Sequence, residues 1–212
     1  MKVTKYPQST LILEKEGRRI LIDPGSFTAA KYSADDFAEI EAIVLTHRHP
    51  DHVDEGLIKS ILNKKNVPVV GNTDTKEAFP ELITDIISDS ETIIHAGFTI
   101  KAHDLPHVPM VDGSAGPQNT GYIIDDNFFH AGDGVDTTGV NVHYAAVPIA
   151  GPDLSLRDAH NLIKSIGAKV IIPIHYSLFT DEKPTAAIGL IQKFTPEIDE
   201  LRVLANGEST LI

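Results

Sequence analysis

The chain has 212 residues, 42% of them hydrophobic, and carries a net charge of −12 with no cysteine. The hydrophobic fraction is enough for a sizeable core, and no linker rich in proline, glycine or serine divides the sequence, so we predict one domain over residues 1–212. The missing cysteines exclude a disulfide framework and a thiolate metal site. The acidic balance argues against a nucleic-acid partner, which needs a basic surface.

The apolar runs of the sequence are far too short to cross a bilayer, and residues 1–7 contain no continuous apolar signal core. Together with the missing cysteines, these features predict a cytoplasmic protein that binds no membrane. The sequence leaves the oligomeric state open, with a homo-oligomer among the alternatives.

The first half of the chain predicts short apolar strands separated by helices. The predicted strands are residues 10–14, 18–23, 42–45 and 67–70, of which the first two form a hairpin. The predicted helices are residues 35–40, with Ser33 as the cap, and residues 54–64, where leucine and isoleucine recur at helical spacing.

The second half repeats this coarse order. Its predicted strands are a hairpin at 92–102 and the runs at 120–125, 128–131, 144–149, 170–174, 201–204 and 210–212. Its predicted helices are residues 155–167, ended by a glycine, and residues 184–194, begun by a proline. The segment 104–118 is rich in proline and glycine and predicts a functional loop.

The segment after the third predicted strand carries the strongest chemical signal. Residues 46–52 read Thr-His-Arg-His-Pro-Asp-His, so three histidines and an aspartate lie close together. His47 and His49 are two apart, so in an extended segment their rings point the same way. Asp51 and His52 follow a proline and can aim elsewhere. This layout suits two adjacent metal ions better than one, and imidazole with carboxylate suits zinc, manganese or iron.

Later segments contribute further candidates. Asp133 lies in a Gly-Asp-Gly turn that presents a carboxylate, and His175 ends the apolar strand at 170–174. Each also has a plain structural interpretation, as turn chemistry for Asp133 and as a hydrogen-bonded structural histidine for His175. The predicted functional loop contains His107 and lies close to His103.

The spacing His-x-His-x-Asp-His resembles the signature of the metallo-β-lactamase superfamily, and later segments match that family in order. These are Leu-Ile-Asp-Pro-Gly at 21–25, His107 before Asn-Thr-Gly-Tyr-Ile-Ile at 119–124, His-Ala-Gly-Asp at 130–133 and Ile-Pro-Ile-His-Tyr at 172–176. The match covers nearly the whole chain. Within the superfamily the sequence resembles the lactonase-like branch, which includes ascorbate-6-phosphate lactonase-like proteins. It implies an α/β fold, the αβ/βα four-layer sandwich, with a site at one edge.

The resemblance also implies a role for each candidate. His47, His49 and His107 match the ligands of a first metal. Asp51, His52 and His175 match those of a second. Asp133 matches the carboxylate that bridges the two metals. It implies two divalent ions, zinc first and manganese or iron as alternatives. The implied reaction is hydrolysis of a small ester, lactone or phosphoester by a metal-activated hydroxide, which Asp51 helps to orient.

Arg48 departs from the family, which often has a small or polar residue there. It could meet an anionic small-molecule substrate, or it could form an ion pair with Asp35, Asp36 or Asp54. Asp23 could orient a ligand histidine or cap a turn.

Among the other histidines, His103 is interpreted as near the site or without a role, and His130 as packing. His143 is interpreted as structural, with reach to the site left open. The alternative functions are a metal-binding sensor or scaffold and a one-iron dioxygenase. The dioxygenase is disfavoured because the second ligand set is intact.

Overall fold

A computed structural model of the chain describes residues 1–180 and 182–212. In these ranges the first half forms a mixed sheet from β1 (Lys2–Lys5), β2 (Leu11–Lys15), β3 (Arg18–Ile22), β4 (Ala42–Val44), β5 (Val69–Gly71) and β6 (Asp85–Ile86). The second half forms another from β7 (Thr92–His95), β8 (Phe98–Asp104), β9 (Thr120–Ile124), β10 (Phe128–His130), β11 (Tyr144–Pro148), β12 (Val170–Ile174) and β13 (Glu200–Leu201). The chain then returns to the first sheet, where β14 (Ser209–Leu211) pairs with β1.

Helices cover the outer faces of the two sheets. Those in the described ranges are α1 (Ser26–Ala29), α2 (Glu55–Lys64), α3 (Thr73–Ala78), α4 (Leu156–Ile166), α5 (Thr185–Phe194) and a 3-10 turn at Ala34–Phe37. Asp54 begins α2 by accepting a hydrogen bond from the Leu57 backbone N–H. Across the part of the chain that the structure describes, every helix is too short or too polar to span a membrane.

Both sheets follow the same plan. In the first, β14, β1, β2 and β3 pair antiparallel, and β3 to β6 then pair parallel. In the second, β7 to β10 pair antiparallel and β10 to β13 pair parallel. The two halves therefore share one strand order, which is consistent with the coarse order of elements that the sequence predicted for both halves. Each contributes a set of parallel strands that end in the same direction.

Three apolar cores separate the layers of the described structure. The central core lies between the sheets and joins residues such as Leu13 and Ile20 to Phe98 and Ile100. The other two lie outside the sheets, one under α2 and one under α4 and α5. This is an αβ/βα four-layer sandwich, so the predicted fold class is confirmed.

Local differences from the prediction have physical causes. The predicted helix at 35–40 is a 3-10 turn, in which Ser33 and Asp36 form a capping box. The sequence analysis overlooked β1, because the charged residues in Lys-Val-Thr-Lys hide a strand whose Val3 is buried. The predicted strand 201–204 is paired only at β13, and Leu204 packs into the central core instead.

One edge of the sandwich gathers the polar segments. β3, β4, β8, β10 and β12 all end near these segments, since Asp23, residues 46–52, His107, Asp133 and His175 follow them in turn. Hydrogen bonds join the two sheets here, from the Tyr122 hydroxyl to the Leu45 carbonyl at 2.9 Å and from the Thr120 N–H to the Thr46 carbonyl at 3.0 Å. The fold thereby fixes loops from both halves against one another.

We expect Gly167→Ala to lower the free energy of unfolding by about 1 kcal/mol, because Gly167 ends α4 in the left-handed conformation at φ +69°. The matched variant Gly189→Ala lies inside α5, where an added Cβ would contact none of the described atoms within 4 Å. It should raise the free energy of unfolding by about 1 kcal/mol, because alanine is the better helix former. Urea unfolding measures the free energy of unfolding of both variants. A change in the same direction for the two variants would contradict the left-handed conformation of Gly167 at the end of α4.

Candidate metal centre

The loop after β4 is folded tightly against its neighbours. The Asp23 carboxylate accepts hydrogen bonds from the Thr46 N–H at 2.8 Å and from the Thr46 hydroxyl at 2.7 Å. The His49 carbonyl accepts from the His52 N–H at 2.9 Å, which closes the turn. Gly25 passes so close to the Asp51 backbone that an added Cβ would overlap it. The histidines of the loop are therefore presented from a fixed backbone.

The first cluster contains His47, His49, His107 and Asp133. Each offers one atom that could bind a metal, and these atoms lie within 4.8 Å of one another. His47 Nε2 is 3.2 Å from His49 Nδ1, and His107 Nε2 is 3.7 Å from Asp133 Oδ2. The two histidines from the β4 loop thus meet the histidine that the second half contributes.

The second cluster contains Asp51, His52, Asp133 and His175, again with donor atoms within 4.8 Å of one another. His175 Nε2 lies 3.0 Å from Asp133 Oδ2 and 3.1 Å from Asp51 Oδ2. Asp133 belongs to both clusters. The structure therefore brings together all seven residues that were matched to ligands, divided as the resemblance implied, while ligation itself stays a prediction.

Outer contacts orient the rings. His52 Nδ1 donates to Asp23 Oδ2 at 2.7 Å, His107 Nδ1 to the Val108 carbonyl at 2.6 Å, and His175 Nδ1 to the Ala150 carbonyl at 2.7 Å. Because Nδ1 carries the donated proton, a neutral ring presents the Nε2 lone pair to the cluster. Of the two interpretations of Asp23, the structure shows the one in which it orients a histidine.

Unsatisfied buried atoms show that a cation fits these clusters. His52 Nε2, His107 Nε2 and Asp133 Oδ1 are buried, and none has a hydrogen-bond partner among the described residues. His52 Nε2 and Asp133 Oδ1 are 3.2 Å apart without the angles of a hydrogen bond. Buried polar atoms normally have a hydrogen-bond partner. Here unpaired lone pairs from imidazole and carboxylate converge, and this is the set of donors that binds a divalent transition metal.

The charges of the two clusters are strongly coupled. Burial, helped by His52, holds the pKa of His47 well below its ordinary value. Burial lowers the pKa of His175, but the Asp133 and Asp51 carboxylates outweigh it and raise this pKa to about 10. Burial raises the pKa of Asp133, but His175 and His52 outweigh it and hold this pKa well below its ordinary value. Without metal, protons on imidazole balance the carboxylates, so a bound cation would displace protons.

Close backbone approaches hold the ligand rings from behind. An added Cβ at Gly116 would overlap the His107 ring, and one at Gly151 would press on the His175 ring. Asn119 supports Asp133 by accepting a hydrogen bond from its N–H at 3.1 Å. The loops that follow β8 and β11 are thus packed onto the centre.

A cavity of about 190 Å³ opens onto both clusters. Candidate ligands from each cluster line one side of it, among them His49, Asp51 and His175. The remaining wall is largely apolar and contains Pro50, Val108, Met110, Pro152, Asp153 and Leu154. The cavity is large enough for a small molecule and places it against the candidate ligands.

Other predicted residues lie outside the clusters. His103 Nε2 shares a hydrogen bond of 2.7 Å with the Thr137 hydroxyl. His130 Nε2 donates a hydrogen bond to the Ser9 carbonyl at 2.9 Å. His143 is exposed and packs on Tyr144, outside both clusters.

Arg48 is ion-paired, but its partner was not among the three that the sequence suggested. Its Nε donates to Asp74 Oδ2 at 2.8 Å. The suggested partners Asp35, Asp36 and Asp54 instead bind Lys64, Ser33 and the start of α2. Asp74 lies at the start of α3, beside the β4 loop in space but remote from it in the chain.

Sequence analysis missed Gln8. Its Nε2 donates to Asp51 Oδ2 at 2.9 Å, its Oε1 accepts from the Ser177 N–H at 3.0 Å, and its carbonyl accepts from the His175 N–H at 3.0 Å. A lone glutamine between β1 and β2 carries no ligand pattern, so nothing in the sequence signals this role.

The four-layer sandwich and the two joined clusters define a protein of the metallo-β-lactamase fold. The sequence pattern of the β-lactamase superfamily domain matches residues 2–175, so the chain belongs to this superfamily, as its motifs predicted. The lactonase-like branch stays a prediction.

Individual relatives agree with this placement. A UPF0173 metal-dependent hydrolase of Alkaliphilus metalliredigens is 28% identical over 198 residues, covering 84% of this chain and 86% of the relative. Igni18, a metallo hydrolase of Ignicoccus hospitalis, has a TM-score of 0.74 at 21% identity, over 99% of this chain and 97% of Igni18. The metallo-β-lactamase fold protein YhfI of Bacillus subtilis has a TM-score of 0.71 at 15% identity, over 99% and 98% of the two chains.

We expect Gln8→Ala to weaken metal binding. The Ser177 N–H fixes the Gln8 amide so that Nε2 faces Asp51 and holds its carboxylate in place, and alanine removes this support. Zinc titration by calorimetry should show weaker binding of one ion in this variant. The exposed Gln192→Ala is the control, and zinc binding by Gln8→Ala equal to the control would contradict a positioning role.

Proposed function

We propose that the chain is a metal-dependent hydrolase with a dinuclear centre that acts on a small ester, lactone or phosphoester. The observation that carries the proposal is the position of Asp133, whose carboxylate belongs to both clusters. A carboxylate between two cations offsets their mutual repulsion. The metal-dependent hydrolase of Alkaliphilus metalliredigens and the metallo hydrolase Igni18 support the same class of reaction.

Seven residues would hold the metals in the arrangement implied by the motifs. One ion would be held by His47, His49 and His107, the other by Asp51, His52 and His175, and both by Asp133. When bound, the ions would lower the pKa of a water toward about 7 and polarise the carbonyl or phosphoryl oxygen of the substrate. We propose zinc first, with manganese or iron as alternatives that the same donors accept.

Asp51 is the residue that we propose to orient the attacking water. Its side chain is 25% exposed, whereas that of His52 beside it is fully buried, and Asp51 lines the cavity. Its carboxylate can accept a hydrogen bond from a water on the cavity side, while Gln8 holds Oδ2 from behind. A nucleophile from serine or cysteine is not required by this arrangement.

The cavity volume of about 190 Å³ favours a small substrate. The preference for an anionic substrate remains a prediction. It rested on Arg48, but this side chain donates a hydrogen bond to Asp74 and is not among the described residues that line the cavity. An anionic group would meet positive charge from the metals rather than from this side chain.

Metal content tests the dinuclear centre. We expect about two ions per chain by elemental analysis of protein purified without chelator, and about one after His107→Ala or His175→Ala, since each removes a ligand of one cluster. Asp133→Ala should lose most of both, because both clusters share it. The exposed His143→Ala should keep the wild-type content. Protein that never exceeds one ion after zinc challenge would contradict the dinuclear centre.

Activity tests the reaction class. Metal-loaded protein should hydrolyse some members of a panel of small esters, lactones and phosphodiesters. Chelation should abolish this activity, and added zinc or manganese should restore it, because the chain supplies ligands rather than a nucleophile. Tight metal binding without turnover of any panel member would favour the sensor or scaffold function instead.

A further inference from the structure

Asp153 is an unpaired carboxylate in the wall of the cavity. It lies in the loop between β11 and α4 and lines the cavity with Pro152 and Leu154. Its Oδ1 is buried and has no hydrogen-bond partner within residues 1–180 and 182–212. Leaving such an atom unpaired opposes folding, because a carboxylate oxygen loses its water without regaining a hydrogen bond.

The local fold does not require an aspartate at this position. Ser155 begins α4, and its capping box is completed by Asp158, so the helix start is satisfied without Asp153. The neighbouring Leu154 is anchored in the outer core, and Gly151 packs on the His175 ring. Asp153 is therefore held at a fixed place relative to the second cluster. Its Oδ1 is enclosed by the protein, whereas Oδ2, which is not among the enclosed atoms, is left for a ligand in the cavity.

The described wall of the cavity offers Asp153 no lysine or arginine partner. The neighbouring wall contains Val108, Met110 and Leu154, which can contact only apolar groups. A small molecule that fills the cavity would thus meet both an apolar surface and a carboxylate that can accept a hydrogen bond.

We propose that Asp153 determines specificity by accepting a hydrogen bond from a donor group on the substrate, an ammonium, a hydroxyl or an amide N–H. The inference rests on the proposed function, since it places the scissile ester at the candidate metal centre and the rest of the substrate against the cavity wall that contains Val108, Met110 and Asp153. The donor group of the substrate then faces Asp153. A carboxylate here repels an anionic substituent at this end of the substrate, whatever the charge at the metals.

A matched pair of substrates tests the inference. The 4-aminobutanoate and pentanoate esters of one alcohol differ only by ammonium against methyl at the far end of the acyl chain. We expect the metal-loaded protein to have the higher kcat/KM for the aminobutanoate ester. Asp153→Leu should lower the ratio of the two kcat/KM values by about tenfold, the loss of one charge-assisted hydrogen bond. Asp153→Asn, which keeps an acceptor without the charge, should lie between.

The control is Asp126→Asn, which removes the same charge from an exposed turn far from the cavity lining and should leave the ratio unchanged. Thermal unfolding checks that Asp153→Leu folds, and we expect its melting temperature to equal or exceed that of the wild type because an unpaired buried oxygen is removed. A ratio that Asp153→Leu leaves at the wild-type value would overturn the inference while hydrolysis itself still stood.

Binding separates the inference from the reaction. Calorimetry with free 4-aminobutanoate and pentanoate needs no turnover, and the metal-loaded protein should bind the first more tightly in a manner that Asp153→Leu abolishes. If this preference is found although neither ester is hydrolysed, the proposed function fails and the specificity of Asp153 stands. If the two compounds bind equally to wild type and variant, the inference is wrong.

Discussion

Burial of the Asp133 carboxylate is the constraint on which the rest of the site depends. A charged oxygen removed from water costs several kcal/mol unless cations or hydrogen-bond donors surround it. Asn119 orients the backbone of Asp133 without neutralising its carboxylate, so neutralisation falls to His52 and His175 or to cations held between them. The surrounding imidazoles therefore have to be fixed from outside, which Asp23 and two backbone carbonyls do.

The duplicated sheet plan explains how one chain can supply so many converging groups. Each sheet has a parallel half whose strands end at the same edge, and loops at such ends are where α/β sheets carry their chemistry. The first half contributes a dense run of ligands after β4, whereas the second contributes single residues after β8, β10 and β12. Stacking the sheets over a shared core places these sets against each other, so the centre forms only when the two halves pack.

Local patterns in the sequence predicted what depends on local structure. The run at residues 46–52, the apolar strands and α4 with its glycine end could all be read from spacing and composition. Contacts between distant segments could not be read in this way. The attachment of Asp51 by Gln8, the partner of Arg48 and the approach of Gly116 to His107 each depend on which loops the fold brings together. None of these three contacts was predicted. The place of His107 at the centre was predicted, but only from the family resemblance.

The candidate ligands and the apolar wall of the cavity come largely from different loops. Most candidate ligands follow β4, β10 and β12, whereas most of the apolar wall and Asp153 belong to the loops after β8 and β11. His107, which follows β8, is the ligand that lies among the residues of the wall. Loops tolerate substitution better than strands, so a fold can keep one centre and change the molecule that fits beside it. The same loops also press on the His107 and His175 rings through Gly116 and Gly151. The backbones of these loops are therefore more constrained than their side chains, and Asp153 is one of those side chains.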